Sequence, residues 1–208
     1  MKFSEFLNET PLPDSWDKEK YKGRLDFKEM VRYASERAAI LGKGSSRIAF
    51  EIDFKNTKSA LKIALNPAGI SQNIQEVKYL SDSHLQKLGI LIPLIDYDKE
   101  NYKPRWVQVE IAGRITEDFF KEKYGYTLKE IVYYIHKDLN GKNPDSLQID
   151  QGDQLIKSLY DLIGNYKDLL YGDLARIDNW GLYDGRPVII DIGFDAVSQK
   201  MQKLKKGA

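Results

Sequence analysis

Residues 171–193 read YGDLARIDNWGLYDGRPVIIDIG. A polar run, Gly172 to Asn179, leads into a short apolar strand from Trp180 to Tyr183. The turn Asp184-Gly185-Arg186 follows, then a second apolar strand, Val188 to Ile190, which Asp191-Ile192-Gly193 ends. Asp-Gly between two apolar runs is a strong short-range hairpin signal, because both central residues of the tight turn must take a left-handed backbone. The eleven residues between Asn179 and Asp191 are enough for strand, turn and strand.

Working outward, two amphipathic stripes precede this segment. Asp153 to Leu170 carries Leu155, Ile156, Leu159, Leu162, Ile163, Tyr166 and Leu169 at helical spacing, and Thr127 to Asn140 does the same with Leu128, Ile131, Val132, Ile135 and Leu139. The first half of the chain has another character. A helix is predicted from about Asp26 to Ile40, broken at Gly42 and Gly44. Two β-like runs follow, Arg47 to Phe54 and Ser59 to Leu65, joined by the turn-like Lys55-Asn56-Thr57-Lys58. Ile70 to Leu88 then reads as one helix, and Ile90 to Tyr97 and Arg105 to Ile111 as strands. The expectation is a two-lobed α+β protein. Residues 1–40 form a polar N-terminal arm and a helix, 41–111 a small β-rich lobe, and 112–208 a reduced helical lobe bearing the hairpin.

Composition narrows the class of protein. In 208 residues, 42% hydrophobic and 12% aromatic, there is material for a substantial core. Lys plus Arg (32) nearly balances Asp plus Glu (31), so no global field points to nucleic acid or a membrane surface. The absence of cysteine excludes disulfides, thiolate metal sites and a cysteine nucleophile. The opening residues are too polar for a signal peptide, and no stretch approaches the roughly 18 apolar residues of a membrane span. A soluble, cytoplasmic protein is expected.

The residues with chemistry come in a definite order. In Leu41-Gly42-Lys43-Gly44-Ser45-Ser46-Arg47, two glycines stand just before a strand, where exposed amides can approach phosphate oxygens; an ordinary turn reads the same way. The segment is neither a Walker loop nor a dinucleotide fingerprint, since no helix opens after the glycines. Lys62 lies in an apolar strand run, as a phosphate-holding cation or as the solvent-facing member of an alternating strand. Glu76, fourteen residues on, falls within the next helix, as a partner for that lysine or as a solvated helix glutamate.

A glycine loop, a strand lysine and a helix glutamate in this order resemble the protein-kinase and aminoglycoside-phosphotransferase superfamily, in which the lysine pairs with the glutamate under the loop. The loop's third glycine is absent here, and Arg47 occupies that region. The chain is similar to minimal kinase-like proteins of bacteria and their viruses. Only 15 residues follow Gly193, and the resemblance therefore implies a helical lobe without the activation segment of a full protein kinase.

The family's catalytic segment has two candidates. His136-Lys137-Asp138-Leu139-Asn140-Gly141-Lys142-Asn143 matches the pattern letter for letter, with Asp150-Gln151-Gly152 following. Yet only six residues separate Asn143 from Asp150, Pro144 among them, too few for two strands and a turn. His136 to Asn140 also continues a helical stripe that Gly141 would terminate. Asp173 to Asn179 has one residue more than the family's spacing, but it follows a long apolar helix and precedes the hairpin to Asp191. The second segment is preferred, and the first reads as a helix end.

On that reading the resemblance implies roles. Gly42, Gly44, Ser45, Ser46 and Lys62 would bind ATP, with Glu76 fixing the lysine. Asp173 would orient the acceptor hydroxyl and take its proton, while Asn179 and Asp191 would hold Mg²⁺. Asp178 is a possible substitute metal ligand, while Asp195 reads as a solvated loop aspartate, with a place facing the cleft as the alternative. His84 and His136 have no metal-ligand spacing; Trp106 and Trp180 read as core, and the closing lysines (Lys200, Lys203, Lys205, Lys206) as a solvated face. The expected function is an ATP- and Mg²⁺-dependent phosphotransferase acting on a protein or small-molecule hydroxyl. The alternative is a pseudokinase serving as a nucleotide-binding or structural module, with nucleotidyl transfer on the same fold as a third reading.

Overall fold

A computed structural model describes residues 16–17, 26–54, 57–142 and 149–193. The remaining stretches hold most of the expected arm, the first two residues of the expected Lys55-Asn56-Thr57-Lys58 turn, Asn143, Asp195 and the terminal lysines, which therefore lie outside the described residues. The described chain is a mixed α+β protein with a five-stranded antiparallel sheet, a three-stranded sheet and several helices.

Helix α1 (Phe27–Ser35) begins where the Asp26 carboxylate accepts from the Lys28 amide at 3.3 Å. It ends at Ser35, short of the expected Ile40, because Ala39–Lys43 forms strand β1 and pairs antiparallel with β2 (Arg47–Phe54). Apolar residues at helical spacing were available in that stretch, but sheet pairing takes their backbone instead. Strand β3 (Thr57–Ala64) pairs with β2 along its whole length. Helix α2 (Pro67–Leu80) follows, with Pro67 at its first position. The expected single helix over Ile70 to Leu88 is two: Asp82 caps a separate α3 (Ser83–Leu88), accepting from the His84 and Leu85 amides at 2.8 and 3.2 Å. Strands β4 (Leu94–Tyr97) and β5 (Trp106–Glu110) complete the sheet in the order β1-β2-β3-β5-β4.

Period-two alternation sorts this sheet into two faces. Leu61 and Ile63 of β3, with Ile48, Phe50 and Ile52 of β2 and Trp106 of β5, form a buried cluster with Met30 and Ala34 of α1. Trp16 joins that cluster at 6% exposure, although the sequence around it reads as a polar arm; one indole has enough apolar area to anchor it. Ala60, Lys62 and Ala64 stand on the opposite face.

The second half adds β6 (Gly113–Arg114), α4 (Glu117–Tyr124), α5 (Leu128–Leu139), α6 (Gln154–Asn165), the short α7 (Tyr171–Leu174), a 3-10 turn at Ile177–Asn179, and strands β7 (Trp180–Tyr183) and β8 (Arg186–Ile189). Sequence patterning misses α4, whose apolar residues are crowded at Phe119 and Phe120. Thr127 starts α5 with a reciprocal capping box: its hydroxyl accepts from the Glu130 amide, and the Glu130 carboxylate accepts from the Thr127 amide. Asp153 caps α6 through the Leu155 and Ile156 amides. Strands β6, β7 and β8 form the smaller sheet in that order.

The chain divides into two compact units, Met1–Ile74 with Leu94–Ile111, and Gln75–Pro93 with Ala112–Ala208. The division falls within α2, so Gln75–Pro93, placed by sequence with the β-rich lobe, belongs to the second unit. Among the described residues no helix is long and apolar enough to cross a membrane.

Candidate active site

In the second unit, Asp173 lies in the single turn α7, where its amide donates to the Leu170 carbonyl at 2.8 Å. The turn Ile177–Asn179 then delivers the chain into β7. Asp184 and Gly185 take φ values of 49° and 71°, the paired left-handed conformations of a two-residue hairpin, which register Tyr183 opposite Arg186 and Trp180 opposite Ile189. Chain reversal therefore returns Ile190 and Asp191 to Asn179: the Ile190 amide donates to the Asn179 carbonyl at 2.8 Å and the Asp191 amide at 3.4 Å.

The Asn179 side chain closes the other side. Its Nδ2 donates to the Asp173 carbonyl at 2.9 Å, and its Oδ1 takes no hydrogen bond among the described residues. Trp180 pins the same segment, its buried indole N–H donating to the Leu174 carbonyl at 2.8 Å. Asp191 accepts from the Gly193 amide at 3.3 Å through Oδ1. Asp173, Asn179 and Asp191 are thus brought together by one hairpin and three backbone carbonyls.

Burial pushes the Asp173 carboxyl above its usual range; the neighbouring Asp191 charge adds to the rise and Arg176 opposes it. Asp173 Oδ2 is buried without a hydrogen-bond partner among the described residues. An orphaned carboxylate oxygen beside a second carboxylate is a disfavoured arrangement that a cation would relieve. Among the described residues no group of three or more His, Asp or Glu side chains could hold a metal ion. Mg²⁺ needs fewer, since it commonly takes one or two carboxylates with waters and substrate phosphates supplying the rest. Asp191 and the Asn179 amide oxygen fit that requirement, with the Asp173 carboxyl beside them. Asp178, considered as a substitute ligand, is exposed in the 3-10 turn.

The competing segment lies on α5. His136 to Leu139 are helical, and Asn140 is the C-cap residue, its Nδ2 donating to the His136 carbonyl at 2.6 Å. Asp138 accepts from the Tyr160 hydroxyl at 2.8 Å, and Asp150 from the Gly152 amide at 2.8 Å. These are local structural duties. His136 has one that sequence did not reveal: its ring stacks on Tyr171, two residues before Asp173, with centroids 3.8 Å apart and planes at 15°.

In the first unit, the glycine segment is more tightly held than its composition implies. Gly42 lies inside β1, beside an irregularity in the β1–β2 register, and only Gly44 to Ser46 form the turn. The Gly44 amide donates to the Arg47 carbonyl at 2.9 Å. Asn66 Nδ2 donates to the Ser45 carbonyl at 3.0 Å, and the buried Ser46 hydroxyl donates to Gln72 at 2.6 Å. Arg47, also buried, donates to Asn73, whose own amide donates to the Pro104 carbonyl. Gly69 permits this docking: a Cβ there would fall 2.1 Å from the Ser46 carbonyl oxygen. Sequence reasoning passed over Asn66, Gly69, Gln72 and Asn73. The one available signal was Asn66-Pro67, an N-cap followed by proline, and Asn66 Oδ1 does accept from the Ala68 and Gly69 amides.

Lys62 sits mid-strand with Ala49 and Val107 as cross-strand neighbours on either side, and it is 8% exposed. Glu76 of α2, in the second unit, is fully buried. Neither is the solvated surface charge that its local sequence allows. Burial of an ionisable side chain is costly unless it is compensated, so both positions are constrained by more than solubility.

No protein-family model matches the chain, and no curated protein matches it in sequence. The chemistry of these residues is accordingly what bears on function.

Proposed function

We propose that the chain is an ATP- and Mg²⁺-dependent phosphotransferase acting on a hydroxyl of a protein or small molecule, on a kinase-like plan with a β-rich and a helical lobe. The observation that carries this reading is the convergence of Asp173, Asn179 and Asp191 at the base of the β7–β8 hairpin, with Asp173 Oδ2 buried and unpartnered among the described residues. Asp191 and the Asn179 amide oxygen are the proposed metal ligands, and the cation would neutralise charge on the phosphate oxygens.

Asp173 is proposed to orient the acceptor hydroxyl and accept its proton. A carboxyl raised above the usual aspartate range is a better base for that purpose than an unperturbed one, because base strength follows pKa. Lys62 is assigned to the phosphates, in keeping with its burial in mid-strand. The backbone amides of Ser45 and Ser46 are the proposed phosphate donors, since the Gly44 amide already donates to the Arg47 carbonyl and the Ser46 hydroxyl to Gln72.

That commitment of Ser46 also favours a second reading, a nucleotide-binding or structural module without turnover. Calorimetric titration with ATP in Mg²⁺ and in EDTA, followed by intact-mass analysis of the chain and candidate acceptors, separates the readings. Mg²⁺-dependent binding with phosphoryl mass gain supports the transferase. Binding without mass gain supports the nucleotide-binding module, nucleotidyl mass gain redirects the chemistry, and absence of ATP binding removes the transferase and leaves only the structural module.

A further inference from the structure

Away from Asp173, the second unit contains a cavity of about 190 Å³. Leu88, Ile90, Leu155 and Pro187 contribute apolar lining, and the exposed Lys123 and Arg186 place two cations beside it. Such a volume lies below the roughly 300–1,000 Å³ typical of sites for drug-sized molecules, so its occupant must be small.

Cations outnumber carboxylates here, Lys123 already bonding the Tyr124 hydroxyl. The lining carries one carboxylate, Asp153, whose first duty is to cap α6. Asp153 Oδ1 accepts from the Leu155 and Ile156 amides at 2.8 and 3.3 Å, closing the start of α6, and from the Tyr124 hydroxyl at 3.3 Å. Its Oδ2 is 3.9 Å from Lys123 Nζ, at the outer limit of an ion pair. The Arg186 guanidinium makes no hydrogen bond or ion pair among the described residues. It is nevertheless placed, with Nη1 3.6 Å from where a side chain at Gly89 would begin. Ser158 is spent too, donating to the Leu88 carbonyl at 3.0 Å.

We propose that this cavity binds a short-chain organic monocarboxylate, its carboxylate held by Arg186 with Lys123 beside it and its hydrocarbon on Leu88, Ile90, Leu155 and Pro187. A planar guanidinium matches a carboxylate with two parallel N–H donors. The apolar lining favours a ligand with a hydrocarbon body over a fully hydrated anion such as inorganic phosphate. The site is independent of phosphoryl transfer, and its residues carry no role there.

Hexanoate is the probe, with 1-hexanol and inorganic phosphate as controls, added to the full chain and followed by ligand-observed NMR and calorimetry. Saturable hexanoate binding is expected, with 1-hexanol weaker by about tenfold or more, the usual worth of a charge-assisted hydrogen bond. Arg186→Gln should lose affinity for hexanoate by a similar factor, and Lys123→Gln by less, with melting temperatures of the free variants unchanged. The assignment is overturned by any of three results: no saturable hexanoate binding, equal affinity for hexanoate and hexanol, or full affinity in Arg186→Gln. Displacement of hexanoate by equimolar phosphate overturns it as well, since that marks a plain anion patch. ATP binding in Mg²⁺, measured on the same variants, should not change, so failure here and failure of the transferase reading are told apart.

Discussion

Asn179 donates its side-chain amide to the backbone carbonyl of Asp173 at 2.9 Å, while its own carbonyl receives the amide of Ile190 at 2.8 Å. One residue thus ties the turn that carries Asp173 to the strand end that carries Asp191. The hairpin consequently sets which strand end faces the Asp173 turn.

Alanine at the two aspartates should fail in different ways. Asp173→Ala keeps the proposed metal and phosphate groups, so Mg·ATP should still bind while transfer slows by roughly 10²–10⁴-fold. Asp191→Ala removes a proposed metal ligand and should weaken Mg²⁺-dependent binding itself. Calorimetry in Mg²⁺ and EDTA reads the difference. Equal, Mg²⁺-independent binding by the parent chain and Asp191→Ala would sink the metal assignment.

Asp173 should also leave a mark on stability against pH. Its carboxyl is raised on folding from an ordinary 3.8, chiefly by burial, so the folded chain holds the proton more tightly than the unfolded one. Stability from this group is full below the unfolded value and falls as pH rises through the folded one. Asp173→Asn, uncharged throughout, should therefore be the more stable protein above that window, with the advantage shrinking as pH falls toward about 4. Urea unfolding at stepped pH checks this, and a pH-independent difference between the two proteins contradicts it.

Two glycines near the loop should differ in their tolerance of alanine. At Gly69 the new methyl group meets the Ser46 carbonyl oxygen at 2.1 Å and Ala64 at 3.1 Å, so the turn or α2 must shift, costing about 1–3 kcal/mol. At Gly42 nothing lies within 4 Å, and the change should stay within about 0.5 kcal/mol. Thermal unfolding decides; a tolerated Gly69→Ala would show that the turn is not docked on α2 as described.

His136 should matter for stability and little for chemistry. Removing its stack on Tyr171 in His136→Ala is expected to cost about 0.5–1.5 kcal/mol, and His136→Phe should restore most of it. ATP binding should survive both changes. A large loss of transfer in a folded His136→Phe would reinstate the α5 segment as a catalytic candidate.

Several elements were legible because their signals are local. Asp184-Gly185 between apolar runs dictates the turn conformations seen at both residues. Thr127 and Glu130, three apart, carry the start of α5 within themselves. Local signals that were present but overlooked include Asp82 as a cap splitting a long helical stripe, and Asn66-Pro67 opening α2. Letter-for-letter similarity at His136 to Asn143 spells a catalytic loop, but the helical stripe that the same sequence carries through Leu139 governs the backbone there.

By itself the sequence determined the α+β character, the β7–β8 hairpin, the stripes of α5 and α6, and the order in which the candidate residues occur. All of these follow from interactions between residues a few positions apart, through backbone preference, capping and periodicity. Only the tertiary structure decided that Ala39–Lys43 is a strand, that Trp16 is core, that Lys62 and Glu76 are buried, and that Ser46 is committed to Gln72. Those outcomes depend on partners far away in the chain. Strand pairing, desolvation and close approach at Gly69 are energies of juxtaposition, and no local pattern encodes them.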